Sequence, residues 1–359
     1  MKKLTVLFFL CIIPFIANAT ISEMSFGKWN IKFDDETKRA EFVKEGVTVL
    51  KDVKIKFKNG DVLLDASSYN SVKIKQEDIV DEVGKARKFT IEYTGSENSD
   101  NPIVYQNFYL YDGQDYFLTD VILQSPDNSI ISSNYIAPIS TEADNLFLPA
   151  DVNNRFITVP FDNDGFITYA SYPLSCSQTD PESLAIGRVA RDSVSMEVSA
   201  IFNGETQLGL VIGSVDHDTW KSAVRITGSP LAQGKITNLE CFSGVTHHIT
   251  RDMIDGVLKP HGAVKGQQVK SARMIVHYSG DWRTGLETFG DVCCAIAPKR
   301  SWDKPAPYGW SSWGGMGTEI SYDGVVSVSD FIKENIQNKG GFGDDGVIFI
   351  NLDASWDKL

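Results

Sequence analysis

Apolar and polar residues alternate along most of this chain from Ile21 to about His277. Trp29-Asn30-Ile31-Lys32-Phe33, Val53-Lys54-Ile55-Lys56-Phe57 and Phe89-Thr90-Ile91-Glu92-Tyr93 each repeat with a period of two. The segments Phe117 to Leu123, Val194 to Phe202, Leu208 to Ile212 and Ala272 to Tyr278 continue the theme. A two-residue period over short stretches predicts half-buried β-strands. Asn59-Gly60, Asp112-Gly113, Asp164-Gly165 and Asn203-Gly204 fall between such stretches. These pairs accept the positive φ of tight turns, so hairpins are expected there. No long amphipathic helix is evident before Gly285. Many short strands with frequent turn signals predict a large antiparallel β-sandwich, either one oversized sandwich or two packed sub-domains.

The pattern changes near Asp281. Leu286 to Val292 reads as the start of a short linking helix. Ala297 to Tyr308, with Pro298, Pro305 and Pro307, reads as a linker. The resulting division is a sandwich over 20–285, a linker over 286–307 and a further unit over 308–359.

That last unit has α/β character. Tyr308 to Trp313 reads as a short strand that ends at Gly314-Gly315. Ser327 or Ser329 is the expected cap of the next helix, with Asp330 in its first turn. Val328, Phe331, Ile332 and Ile336 share one face of that helix. Lys339-Gly340-Gly341 supplies a cation and a C-cap glycine at its end. Val347 to Leu352 is a near-continuous apolar run, as in a buried parallel strand, and Asp353 follows it. Strand, helix and strand make the first βαβ unit of a TIM-type (β/α)8 barrel. A complete barrel needs roughly 250 residues, so the barrel is expected to be incomplete within this chain.

Such barrels carry their chemistry at the C-terminal ends of the strands. Trp310 and Trp313 mark one such end; Asp353 and Trp356 mark the other. Indole faces stack on the apolar faces of sugar rings, and a carboxylate accepts hydrogen bonds from ring hydroxyls. The bland alternative makes the tryptophans core residues and Asp353 a helix cap.

Gly309-Trp310-Ser311-Ser312-Trp313, the following helix, and Ile350-Asn351-Leu352-Asp353-Ala354-Ser355-Trp356 resemble the opening of the melibiase barrel. That clan contains α-galactosidases, α-N-acetylgalactosaminidases and raffinose-synthase-like proteins. A large sandwich ahead of the barrel resembles glycoside hydrolase family thirty-six. The resemblance implies that Trp313 lines the sugar subsite and Asp353 binds a ring hydroxyl. It implies that Trp310 supports the site from below and that Trp356 buttresses the second loop. It also implies retaining hydrolysis of α-glycosidic bonds by two carboxylates, expected beyond Leu359, with an oligosaccharide or glycan as substrate and no cofactor or metal. The clan usually has a second aspartate where this chain has Ala354, which leaves the sugar open.

Charge and targeting narrow the partners. The 359-residue chain carries a formal charge of −13. An acidic surface repels phosphate backbones and anionic membranes, while a neutral sugar meets no such field. Lys2-Lys3, the apolar run Leu4 to Ile16 and Ala17-Asn18-Ala19 read as a secretory signal cleaved before Thr20. The run is short for a membrane span. Lipid attachment at Cys11 is disfavoured by the bulky Phe9 and Leu10. An exported protein, periplasmic or extracellular and not inserted in the membrane after cleavage, is therefore expected.

Of the remaining cysteines, Cys176 and Cys241 can be imagined as a bridge. Buried thiols are the simpler reading for them and for Cys293 and Cys294. Asp216-His217-Asp218, His247-His248 and Asp162-Asn163-Asp164-Gly165 contain metal-capable side chains but lack ligand spacing, so turns are expected. A second reading makes the sandwich a non-catalytic glycan binder, with Tyr105, Phe108, Tyr109, Tyr111 and Tyr116 as an aromatic platform.

Overall fold

A computed structural model describes residues 21–142, 148, 151–159, 170–174, 192–228, 235–244, 262–304, 308–341 and 347–358. The signal segment over 1–19, Asp162-Asn163-Asp164-Gly165, Cys176, His247-His248, Pro305, Pro307 and Leu359 lie outside the described residues. The chain divides into two compact units, Met1–Pro298 and Lys299–Leu359.

In the first unit the chain runs through β1 (Ile21–Phe26), β2 (Trp29–Asp34), β3 (Arg39–Lys44), β4 (Val47–Asn59), β5 (Val62–Asp65) and β6 (Tyr69–Val80). It continues through β7 (Lys85–Ser96), β8 (Ile103–Tyr111), β9 (Tyr116–Gln124), β10 (Ile131–Ser133), β11 (Ile136–Glu142) and β12 (Asn154–Thr158). Then follow β13 (Ala170–Pro173), β14 (Asp192–Met196), β15 (Val198–Asn203), β16 (Gly209–Ser214) and β17 (Ser222–Gly228). The last strands are β18 (Ile236–Ser243), β19 (Val264–Gly266), β20 (Gln268–Lys270) and β21 (Met274–Ser279), and α1 (Trp282–Ile296) closes the unit.

Among the described residues these strands form a nine-stranded sheet, a ten-stranded sheet and a separate antiparallel pair of β10 and β19. The first has the order β1-β2-β3-β4-β11-β18-β17-β14, with β5 on β4. The second has the order β13-β12-β15-β16-β21-β9-β8-β7-β6, with β20 on β9. Both are antiparallel throughout, as in a β-sandwich. In β2, Trp29, Ile31 and Phe33 point inward while Asn30, Lys32 and Asp34 point outward. The facing sheet answers with aromatic rings. Trp29 meets Phe117 edge-on at 4.8 Å, Phe42 meets Phe117 at 5.1 Å and Phe33 meets Tyr93 at 6.1 Å.

The outer face of the second sheet is also covered. α1 lays Trp282, Leu286, Phe289, Val292, Cys293 and Ile296 against Val211, Leu118, Tyr116 and Ile275. The Asp281 side chain caps this helix by accepting from the Arg283 N–H at 3.0 Å. Gly285 is required where the helix meets the sheet. A Cβ there would stand 2.7 Å from His277 Nδ1 and 2.7 Å from Val211 Cγ2. The linker expected from residue 286 is therefore corrected: residues 286–296 belong to a fifteen-residue helix docked on the sheet, because its apolar positions at helical spacing have a sheet face to bury.

The second unit contains β22 (Tyr308–Ser311), α2 (Ser312–Met316), α3 (Tyr322–Phe331) and β23 (Ile348–Asn351). β22 and β23 pair in parallel, with Tyr308 opposite Ile348 and Ser311 opposite Asn351. Helical chain crosses between them, which makes a βαβ unit. Three local expectations are revised. The strand ends at Ser311, so Trp313 lies on α2. The helix starts at Tyr322, because Ser321 caps it by accepting from the Gly324 N–H at 3.3 Å. A π-turn over Ile332–Gln337 then changes the register, so Ile332 is buried while Phe331 is exposed. Gly341, at φ 65°, supplies the left-handed C-cap.

Candidate carbohydrate site at the paired strand ends

Parallel pairing brings the carboxyl ends of β22 and β23 to one edge. The chain leaves β22 into α2 and leaves β23 into a turn, with Ser355 at φ 70°. Ser312, wholly buried, links the two exits: its Oγ accepts the Asp353 N–H at 2.9 Å. Across the register pair, Asn351 Nδ2 donates to Ser311 Oγ at 3.4 Å. Ser311 Oγ in turn donates to Asp353 Oδ2 at 3.5 Å. The Asp353 carboxylate also accepts the Ala354 N–H at 2.7 Å, and its main-chain oxygen accepts the Trp356 N–H at 3.2 Å.

Each residue singled out in the sequence has a place here. Asp353 is exposed at the end of β23, held by the loop's own backbone and by Ser311. Trp313 stands on the first turn of α2 and is 52 % exposed. Trp356 lies in the turn after β23 and is 63 % exposed. Trp310 is half-buried inside β22; a Cβ on Gly315 would stand 3.2 Å from its ring, so α2 packs closely over it. Ser311, Ser312 and Asn351 were missed as site residues. The available signal was positional, since each is polar where an apolar strand gives out.

The cluster offers a fixed carboxylate, a hydroxyl, a carboxamide and accessible indoles. Such a set recognises a neutral polyol by hydrogen bonds and stacking. Retaining glycoside hydrolysis needs two carboxyl groups about 5–5.5 Å apart. Asp353 is the carboxylate that follows directly on β23.

Other candidate chemistry in the first unit resolves into structure. Asp216 is clamped by Arg273, whose Nη2 lies 2.8 Å from Oδ1 and whose backbone N–H donates to Oδ2 at 2.9 Å. Burial pushes the Asp216 carboxyl up, but the Arg273 hydrogen bonds outweigh it and hold the group below the usual carboxylate range. His217 Nε2 is 2.9 Å from the Ser214 carbonyl oxygen. Among the described residues no three His, Cys, Asp or Glu side chains group as metal ligands. Cys241 is buried and free, 3.4 Å from the Met274 sulfur. Burial pushes the Cys293 thiol up to about 11. The tyrosine platform is corrected. Phe108 is in the sandwich core, and Tyr109, Tyr111 and Tyr116 are buried. Tyr109 and Tyr111 donate to Asp120 at 2.9 Å and Asp81 at 2.7 Å. Only Tyr105 of the five is partly accessible.

No family model matches the sequence, and no curated protein matches it. Solved structures to which this chain is similar include GH36 α-galactosidases and an α-N-acetylgalactosaminidase. A variant of the GH36 α-galactosidase AgaA from Geobacillus stearothermophilus, in complex with 1-deoxygalactonojirimycin, is 9 % identical with a TM-score of 0.48, over 94 % of this chain and 50 % of that one. The α-N-acetylgalactosaminidase NagBb from Bifidobacterium bifidum, in its GalNAc complex, is 11 % identical with a TM-score of 0.44, over 92 % and 51 %. An α-galactosidase from Lactobacillus brevis is 8 % identical with a TM-score of 0.45, over 88 % and 47 %. The chain spans about half the length of these proteins.

Proposed function

We propose that this chain is part of an exported α-glycosidase of the melibiase type, with β22 and β23 as the first two strands of its catalytic (β/α)8 barrel and the paired strand ends as one wall of the sugar subsite. The observation that carries this reading is the joining of Trp313 and Asp353 at one edge through the Ser312–Asp353 hydrogen bond. Stacking on the indole and hydrogen bonding to the carboxylate orient a pyranose ring over the strand ends. The nucleophile and the acid/base belong, in this reading, to other barrel strands. Export rests on the Lys2-Lys3 and Ala17-Asn18-Ala19 signals, and cleavage there gives a mature protein starting at Thr20. Among the described residues no helix is long and apolar enough to cross a membrane.

The test is a titration of the purified chain with raffinose, read by tryptophan fluorescence. Saturable quenching is expected, weakened about tenfold or more by either Trp313→Ala or Asp353→Ala, since each removes one of the two recognition modes. No saturable response, or binding by both variants as tight as that of the unaltered chain, would overturn the proposal. The same chain should release no aryl leaving group from a nitrophenyl α-galactoside above a blank, because one carboxylate cannot supply both roles.

A further inference from the structure

The hairpin of β2 and β3 and the adjoining part of β4 enclose an open groove of about 250 Å³ in the first unit, far from any chemistry assigned above in sequence. Its charged lining is Lys32, Asp34, Arg39, Glu41, Lys51 and Asp52. A bulge shapes it. Ala40 pairs with Val53 and Phe42 with Leu50, so Lys51 and Asp52 of β4 together oppose Glu41, one residue more than the ladder needs, and Asp52 adopts a left-handed φ of 50°. Bulges re-aim side chains, and here they bring Lys51 and Asp52 to the rim of the groove.

Some of the six charges are already committed. Asp34 Oδ1 accepts the Glu36 N–H at 2.9 Å and the Thr37 N–H at 3.3 Å, which fixes the hairpin turn. Glu41 accepts from Thr48 Oγ1 at 2.8 Å and faces Lys32 at 3.9 Å. Arg39, Lys51 and Asp52 have no hydrogen-bond or ion-pair partner for their side chains among the described residues. Arg39 is half-buried. A guanidinium without a partner recognises a carboxylate best, as a two-pronged hydrogen bond.

We propose that this groove is a second ligand site, distinct from the paired strand ends, that takes a small polyhydroxylated acid: one carboxylate on a sugar-sized body. The carboxylate sits on Arg39 and Lys51, and ring hydroxyls donate to Asp52. The balance of three cations and three carboxylates selects this class. A bare polyanion gains nothing from a lining of no net charge and meets three carboxylates. A neutral sugar leaves the guanidinium unpaired. The volume, below the roughly 300 Å³ of common drug-sized pockets, suits one ring.

The experiment is calorimetric titration of the purified chain with sodium glucuronate, with glucose and sodium sulfate as comparison ligands. Saturable glucuronate binding is expected, at least tenfold tighter than either comparison. Arg39→Gln and Lys51→Gln should each weaken it at least fivefold while leaving the circular dichroism spectrum unchanged. Trp313→Ala should not alter it, which separates this site from the one at the strand ends. Sulfate or glucose binding as tightly as glucuronate, glucuronate affinity unchanged in both Arg39→Gln and Lys51→Gln, or no saturable glucuronate binding would overturn the proposal.

Discussion

His277 illustrates how one side chain can set a pH limit on the whole fold. It lies on the outer face of β21 beneath α1, 2 % exposed, and its Nδ1 has no hydrogen-bond partner. Burial is the main cause that pulls its pKa down to about 4 from the usual 6.5; Asp115 opposes this, and Lys44 and Lys28 add to it. Those three groups are themselves linked, with Lys44 Nζ 2.5 Å and Lys28 Nζ 2.8 Å from Asp115 Oδ1. The sign follows from proton binding. A histidine depressed on folding takes up its proton more readily in the unfolded chain, so stability is intact above pH 6.5 and falls as pH drops from 6.5 towards 4. The loss across that window is about 3 kcal/mol. Carboxylates held low, such as Asp216, act lower down: their contribution is lost as pH falls from about 4, the ordinary carboxylate value, through the depressed folded value. Urea unfolding at pH 7 and pH 4.5 should show the fall, and His277→Gln should flatten it. A variant that keeps the full wild-type slope would assign the effect elsewhere.

At the scale of elements, what the sequence revealed depended on how many faces each strand buries. β2 and β7 bury one face, so Trp29, Ile31 and Phe33 alternate with Asn30, Lys32 and Asp34, and the period is plain. β16, read in the sequence over Leu208 to Ile212, is buried along its whole length because α1 covers its far side, so its burial does not alternate and its apolar run is nearly continuous. α1 itself carries Leu286, Phe289, Val292, Cys293 and Ile296 at helical spacing. Leu286 to Val292 read as the start of a short linking helix, and the proline-rich stretch that follows drew it into the linker. Gly285 is there for contact with His277 and Val211, and no local rule of sequence reveals such a contact. Gly285→Ala should therefore destabilise the first unit by about 1–3 kcal/mol, although alanine is the better helix former. Gly290, with open space where its Cβ would stand, is the control: Gly290→Ala should leave the thermal midpoint unchanged or raise it. In the second unit, the tryptophans and Asp353 were legible as strand-end residues. The Ser312–Asp353 and Asn351–Ser311 hydrogen bonds were not, since they exist only once two distant segments pair in parallel register.

The division of the whole molecule gives the sharpest contrast between a boundary drawn from texture and one drawn from packing. Texture ends the sandwich at residue 285; packing carries the first unit to Pro298. The difference is most of α1. Without it, Leu118, Tyr116, Ile275 and Val211 on the second sheet lose the apolar cover of Leu286, Phe289, Val292 and Ile296. Burying a large apolar side chain is worth about 1.5–3 kcal/mol, so removing this face costs roughly 5–10 kcal/mol. That is comparable with the about 5–15 kcal/mol by which a domain is stable at all. The two boundaries therefore predict different behaviour for fragments. Residues 20–298 should unfold in one cooperative transition with a midpoint close to that of the same unit in the full chain. Residues 20–285 should be insoluble, or should unfold at a midpoint lower by 10 °C or more, at about 2–4 °C per kcal/mol for a unit of this size. Calorimetry on the two fragments and the full chain decides the matter. Equal midpoints for both fragments would mean that α1 rests on the sheet without stabilising it.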